Sequence, residues 1–589
     1  MRSGKPLDER IMSFIELDNI SFSYPESDGP TIKNVSIKIE QGTFTVIVGH
    51  NGSGKSTLAN LICGILLPNS GKVTVDGLDT SNDDTFEQLR RTCGMVFQNP
   101  DNQIVASIVE EDVAFAPENL GVEPKRIREI VDECLEIVGM SEYKMHSTSK
   151  LSGGQKQKVA VAGILAMSPK CIIFDEATAM LDPKGRKDVM DTLAKLNREQ
   201  GITVITITHY MNEAALADRM ILMNKGTVAM DGSPRELFGE VEKMVEYGLT
   251  VPQITELMYE LEKLGCDVKR GILHTLEAAD HIEEIHGSIS DDESKSSSTA
   301  SLSGDAAIEL ENVTVEYGKG TPFHRVAIDN LSIRLQKGKI IGLIGHTGSG
   351  KSTFARLLNG LLKPDAGKVY IDGVDIWEKP KEMGKIRSKV GLVFQYPEYQ
   401  LFEETIYKDI AFGPKNMGIK GDELDKCVKD AARFCGIDDS ILDSSPFEIS
   451  GGQKRRVAMA GVIAMRPSIL VLDEPAAGLD PEGRDNVLGG LIDYHRKNGS
   501  TMLMISHSME DIAKYADQIL VMKDGRVKAF GDVSQIFKNW NMLFETGLDV
   551  PQITKLFVEL QKRGLVKRSD IYTIKKAAEL LEPILPKRK

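Results

Sequence analysis

Apolar residues follow two rhythms along this chain. Nearly continuous blocks, "FTVIVG" (44–49), "CIIFDEA" (171–177), "ITVITITHY" (202–210) and "MILMNKG" (220–226), have the length of strands buried on both faces. Between them lie amphipathic segments such as "STLANLICGILL" (56–67), spaced for helices. Buried strands alternating with helices predict an α/β core with a largely parallel sheet. A third pattern closes the series. After Pro252, Ile254, Leu257, Met258, Leu261 and Leu264 are spaced to line one face of a helix. That face either caps its own domain or joins it to another, and periodicity alone leaves both open.

The whole pattern then occurs a second time. Lys55 finds its counterpart in Lys351, 296 residues on, Ser152 in Ser450, 298 on, and Pro252 in Pro551, 299 on. So small a drift marks a tandem duplication. "FQNPDNQIVASIVEEDVAFAPENLG" (97–121) returns as "FQYPEYQLFEETIYKDIAFGPKNMG" (394–418), with Gln98, Gln103, Asp112, Pro117 and Asn119 kept and the filling changed. A stretch kept in outline but refilled suggests related contacts to two different surfaces. The expected organisation is an extension at 1–13, a first domain at 14–239 with a terminal module at 240–287, a serine-rich linker at 288–304, and a second domain at 305–540 with its module at 541–589. Met12 is a possible natural start, because "MSFIELDNISFSY" reads directly as a first strand. The linker holds eight serines and no apolar period; as a flexible coil its reach is roughly 20–25 Å.

Composition narrows the classes. In 589 residues, 41% hydrophobic and 27% charged content is ordinary for globular protein. A net charge of −14 argues against nucleic acid as a partner. No apolar run approaches the length of a bilayer span, and the N-terminus lacks a signal-peptide core. The seven cysteines form no CxxC pair and have no clustered histidines, which points to buried thiols rather than disulfides or zinc.

The chemistry lies in two loops. "GHNGSGKST" (49–57) and "GHTGSGKST" (345–353) each follow a strand and open a helix, the setting a phosphate-binding loop needs. In the first loop Gly49, Asn51, Gly52, Ser53, Gly54 and Thr57 let backbone N–H groups converge on phosphate, Lys55 reaches the terminal phosphates, and Ser56 ligates Mg²⁺. Gly345, Thr347, Gly348, Ser349, Gly350, Lys351, Ser352 and Thr353 repeat the set. "CIIFDEATAMLD" and "ILVLDEPAAGLD" deliver paired acids at strand ends. Asp175 and Asp473 would support Mg²⁺, while Glu176 and Glu474 would orient and deprotonate the attacking water. "LSGGQKQKVAVAGILAM" and "ISGGQKRRVAMAGVIAM" set Ser152-Gly153-Gly154-Gln155 and Ser450-Gly451-Gly452-Gln453 ahead of long helices.

In this order, loop, Ser-Gly-Gly and acid pair resemble the ATP-binding-cassette (ABC) ATPases, over roughly 14–287 and 308–589. The resemblance implies a fold of two tandem domains, each a phosphate-loop core with an antiparallel β subdomain and a helical subdomain, followed by a small helical module. It implies that Tyr24 stacks on adenine, with Tyr317 or Phe323 doing so in the second half. Gln98 and Gln395 are then the Q-loop residues and further Mg²⁺ ligands, Asp182 and Asp480 the D-loop acids, and His209 and His507 the contacts to the γ-phosphate. It further implies a head-to-tail pairing in which each phosphate loop is completed by the other half's Ser-Gly-Gly. The departures are mild: Ile449 where Leu is usual, and Ala177 opposite Pro475.

Beyond Gln98 and Gln395 the chain resembles the ATPases of energy-coupling-factor (ECF) transporters, importers of vitamins and transition-metal ions, with two A components fused. Such a protein would work at the cytoplasmic membrane face with a coupling (T) and a substrate-binding (S) membrane subunit. Asp101, Glu110, Glu111, Glu398, Glu403 and Glu404 would then receive basic residues of the partner, or are simply solvated. A soluble tandem ATPase of translation or repair is the alternative. It would normally carry a long charged insert, an iron–sulfur domain or zinc-binding cysteines, none of which stands here.

Overall fold

The strand Phe44–Val48, buried at every position, has an apolar side chain on both faces apart from the sheltered Thr45 hydroxyl. Such a strand is stable only at the centre of a covered sheet. A computed structural model of the chain, describing residues 13–25, 29–179, 181–286, 305–321, 324–395 and 397–588, places it there. The order across the first six-stranded sheet is Thr227–Gly232, Arg219–Asn224, Phe44–Val48, Thr203–Ile207, Cys171–Asp175, Cys93–Val96. All pairings are parallel except that of the Thr227–Gly232 edge. A separate antiparallel sheet of Ile32–Ile39, Ile15–Phe22, Ser70–Val75 and Leu78–Asp79 covers the phosphate-loop helix. Helices Val109–Asn119, Pro124–Ile137 and Gly153–Leu165 pack together beside it as a helical layer.

The second half repeats this layout. Ile340–Ile344 takes the central place between Thr501–Ile505 and Gln518–Lys523, and Ala306–Tyr317 heads the antiparallel sheet. Parallel strands carry their ligand-binding loops at their carboxyl ends, so the loops after Phe44–Val48 and Cys171–Asp175 open on one edge of the sheet. Among the described residues no helix is long and apolar enough to cross a membrane. The serine-rich 288–304, most of the extension 1–13, and Phe323 lie outside the described residues.

Two compact units divide the chain, and their border falls within the first terminal module. One unit runs to Tyr259 and takes in Lys269–Leu273; the other comprises Glu260–Val268 and everything from His274 on. The module is thus shared between the two units. Leu249, Val251 and Leu273 join the apolar cluster of the first half, and Thr255 Oγ1 donates to the Ile272 carbonyl at 2.7 Å, as Thr554 does to Ile571 at 2.9 Å. The rest packs within the second unit. Helix Thr275–Ile285 lies against Gln552–Lys562, where Arg563 donates to Asp280 (2.7 Å), Glu283 (2.8 Å) and Glu559 (3.0 Å). The C-terminal backbone pairs with the turn after the first module's helix, Asp267 N–H to the Pro586 carbonyl and Arg588 N–H to the Gly265 carbonyl, both at 2.8 Å. Ile254, Leu257, Met258 and Leu261 form the buried stripe expected of Gln253–Lys263. Leu264 does not: it falls past the helix end and is 43% exposed.

Arg563→Glu would face three carboxylates with a fourth. Amides of 275–285 are expected to exchange about ten-fold faster or more, while those of the two six-stranded sheets keep their rates, as read by hydrogen–deuterium exchange.

Candidate functional site

Each phosphate loop is shaped by glycines that no other residue could replace. A Cβ on Gly49 would stand 2.3 Å from the Met223 carbonyl oxygen, and Gly54 turns at φ +100° to start the helix Lys55–Ile62. Gly345 and Gly350 are confined in the same way. Gly52 and Gly348 also have positive φ, and Asn51 and Thr347 form the exposed loop tips. Lys55 is buried and folds back over the loop, its Nζ donating to the carbonyls of Gly49 (2.9 Å) and His50 (3.0 Å). Lys351 does so to Gly345 (2.6 Å) and His346 (3.1 Å). Inside the loops the Ser53 and Ser349 hydroxyls are buried without a hydrogen-bond partner, donors of the kind an anion satisfies. Tyr24 stands at the edge of the first loop, its hydroxyl 3.2 Å from Thr57, and Tyr317 has the same relation to Thr353 at 3.4 Å. Both rings are about two-fifths exposed, Tyr24 at 42% and Tyr317 at 40%. That equivalence favours Tyr317 over Phe323.

The acid pairs end their strands beside these loops. Ser56 Oγ donates to Asp175 at 2.9 Å. Burial pushes the Asp175 carboxyl up to about 6, against the pull of Ser56 and Lys55. Asp473 is raised by the same cause, with Ser352 and Lys351 opposing. Glu176 and Glu474 both have left-handed backbone, φ 50° and 52°, sparsely populated for a side chain of this length and typical of functional positions. Glu176 gathers the first site: Gln98 Nε2 donates to its Oε2 at 3.1 Å, and His209 Nε2 lies 2.8 Å from its Oε1. The second site is looser, with His507 3.5 Å from Glu474 and no hydrogen bond joining the Gln395 side chain to Glu474 among the described residues. Burial raises the Glu474 carboxyl strongly, and Lys351 only partly offsets this.

The Ser-Gly-Gly stretches belong to other bonds. Ser152 and Gln155 exchange hydrogen bonds as a capping box, and so do Ser450 and Gln453. A Cβ on Gly153, Gly451 or Gly452 would meet nothing within 4 Å, and one on Gly154 only the Leu181 side chain at 3.6 Å. Their own half therefore does not require glycine there. Asp182 and Asp480 are N-caps, accepting from the Gly185 (2.7 Å) and Gly483 (2.8 Å) amides.

Several participants carry no sequence signal of their own. Arg325 covers the second loop, donating to the Gly348 carbonyl at 2.6 Å. His50 bonds Asn224 at 3.0 Å beneath the first; only its recurrence as His346 hinted at a role. Thr178, Thr208 and Glu213 form a buried cluster behind Glu176 and His209. Of the acids beyond the Q-loops, Asp101 is already paired with Lys156 (2.5 Å), Glu110 with Lys144 (3.1 Å) and Glu404 with Lys408. Glu398 differs, since its Oε2 is buried with no partner. No cluster of three or more His, Cys, Asp or Glu able to hold a metal occurs among the described residues; a Mg²⁺ shared with phosphates needs only one or two carboxylates.

A phosphate loop on a parallel sheet, an acid pair at the next strand end, and glutamine and histidine converging on the second acid define a nucleotide-hydrolysing cassette, present twice. The sequence pattern of the ABC transporter family matches residues 32–179 and 328–477. Over 94% of the chain and 97% of its own length, a protein of Caldanaerobacter subterraneus subsp. tengcongensis, provisionally named as an ABC transporter ATP-binding protein, is 34% identical. Two relatives from Clostridium perfringens match about half the chain each. The energy-coupling factor transporter ATP-binding protein EcfA1 is 57% identical over 44% of this chain and 95% of its own length. Its counterpart EcfA2 is 50% identical over 47% and 98%. The chain belongs to the ABC transporter family, as an ATP-binding, ATP-hydrolysing protein with two ATPase domains.

Lys55→Ala or Lys351→Ala removes a charged donor at one loop. Each is expected to weaken ATP binding at its site by about 10–100-fold, the worth of a hydrogen bond to a charged group, in equilibrium titrations with a fluorescent ATP analogue.

Proposed function

We propose that this chain is the energy-coupling ATPase of an ECF-type importer, driving uptake of a vitamin or a transition-metal ion through a membrane T subunit and a substrate-binding S subunit at the cytoplasmic face. The observation that carries this reading is the likeness of its halves, at 57% and 50% identity, to two different ECF transporter ATP-binding subunits.

In this reading Tyr24 and Tyr317 hold adenine, and the two loops with Lys55 and Lys351 hold the phosphates. Ser56, Asp175 and Gln98, and Ser352, Asp473 and Gln395, would hold a Mg²⁺, which would supply neutralisation of phosphate charge. Glu176 and Glu474 orient the attacking water and take its proton; His209 and His507 reach the γ-phosphate. Each Ser-Gly-Gly helix serves the other half's loop, which its open glycines and exposed N-terminus suit. Asp182 and Asp480 shape the turns that face that exchange. In this reading 14–239 and 305–540 act as the two ATPase domains, each followed by its terminal module.

The surface after each Q-loop suits a membrane partner. In the second half Tyr399, Phe402, Phe412 and Phe447 are 81%, 59%, 43% and 60% exposed, Phe402 and Phe412 edge to face, and Tyr399 adjoins Glu398, whose Oε2 has no partner among the described residues. In the first half the exposed apolar residues are Val105, Phe115 and Met145. Exposed aromatics beside an acid with an unpartnered oxygen fit an amphipathic helix that brings an apolar face and a cation.

Glu176→Gln with Glu474→Gln is expected to cut turnover about 10²–10⁴-fold, the worth of a positioned base, with ATP still bound; turnover within a few-fold of the parent would refute the assignment. Glu398→Lys with Phe402→Asp is expected to abolish co-purification with the membrane subunits while leaving ATP binding by the isolated chain unchanged. Loss of ATP binding with the complex intact would instead favour a soluble ATPase.

A further inference from the structure

The Glu213 carboxylate is 4% exposed, and an ion so deep needs compensation. It has three sources of it. Oε2 accepts from Thr178 Oγ1 at 3.0 Å and Thr208 Oγ1 at 2.6 Å, and the Arg186 guanidinium stands 3.7 Å from Oε1. These partners come from the three segments that meet at the first ATP site. Thr178 follows Glu176 by two residues, Thr208 immediately precedes His209, and Arg186 opens the helix that Asp182 caps. Arg186 also donates to the Leu181 carbonyl (3.4 Å) and lies 3.5 Å over the Tyr210 ring. One buried group thus bonds the loop carrying the acid to the loop carrying the histidine.

The second half is built differently at the same place. Ala476 replaces Thr178 and has no hydroxyl to offer. The shorter Asp511 is taken up by Arg484, at 2.6 Å from Nη2 and 3.1 Å from Nε, and Arg484 also binds Ser508. The loop after Glu474 is met by a different group, the Arg455 guanidinium, which donates to the Ala477 carbonyl and, at 2.8 Å, to the Gln395 carbonyl. The separations follow suit: His209 is 2.8 Å from Glu176, His507 3.5 Å from Glu474.

We propose that Glu213 is a positioning residue of the first ATP site, a staple that through Thr178 and Thr208 holds Glu176 and His209 in register, and that the second site works without this staple. This rests on the reading of Glu176 as the base. The two sites are then mechanically unequal, the first tied at Glu213 and the second held by other bonds.

The test uses the full chain carrying Glu474→Gln as the parent, so that turnover reports the first site alone, with steady-state ATP hydrolysis and thermal melting measured on each variant. Glu213→Ala is expected to lower kcat about ten-fold with KM for ATP within about two-fold, the pattern of a group that acts in the transition state only. Thr178→Val, nearly isosteric, keeps the fold if Glu213→Ala does not and is expected to lower kcat several-fold at an unchanged melting temperature. Combined with Glu213→Ala it should lower kcat no further, because both break one staple. Glu213→Gln, which keeps an oxygen for the two hydroxyls, should recover kcat to within about three-fold of the parent. Losses that multiply, a Gln variant as slow as Ala, or parental kcat in folded Thr178→Val would overturn the staple. Glu176→Gln is the control: if it alone keeps parental turnover, the reading of the base fails and takes this proposal with it, whereas its loss beside an unaffected Thr178→Val overturns the staple alone.

Discussion

Two consecutive carboxylates held out of water at the end of a strand are the constraint on which each half depends. Asp175 and Asp473 are buried enough to be shifted upward, and Glu176 and Glu474 follow in a backbone conformation unfavourable for them. Desolvated negative charge side by side is costly without cations. The nearest ones fixed by the chain are Lys55 and Lys351, drawn into the loop carbonyls. The lysines beside these acids are thus the ones that the phosphates of a nucleotide would also claim.

The duplicated halves share that constraint and answer it unequally. The first gathers Gln98 and His209 on Glu176 and backs them with buried hydroxyls. The second holds its His507 ring further from Glu474, at 3.5 Å, and adds Arg325 over its phosphate loop. Duplication preserves the groups that touch phosphate; the groups behind them have been free to diverge, because many packings can hold one geometry. The divergence at the surface is of the same kind, Val105, Phe115 and Met145 exposed in the first half and four exposed aromatics, Tyr399, Phe402, Phe412 and Phe447, in the second.

Much of this was legible in the linear order. Continuous apolar blocks such as Cys171–Asp175 could only be covered parallel strands, and the glycines of the two loops announce a backbone that side chains would obstruct. The antiparallel sheet and helical layer came from the resemblance, not from periodicity. What stayed hidden has physical causes. The stripe Ile254, Leu257, Met258 and Leu261 says that a face is buried but not against what, so the split of the module at Tyr259 could not be read. Asp101 and Glu110 looked available because a charge's partner, Lys156 or Lys144, lies 55 or 34 residues away. Thr178 and Arg325 passed unnoticed because a threonine or arginine acquires meaning only from its neighbours in space.

The pairing of the C-terminal backbone with 265–267, together with Arg563 on Asp280 and Glu283, bears on why the two halves are one polypeptide at all. Since 260–268 and 274–286 are held by the second half through space, the serine-rich stretch is not needed to keep them there. What the fusion secures is stoichiometry: each molecule carries one copy of each unequal half.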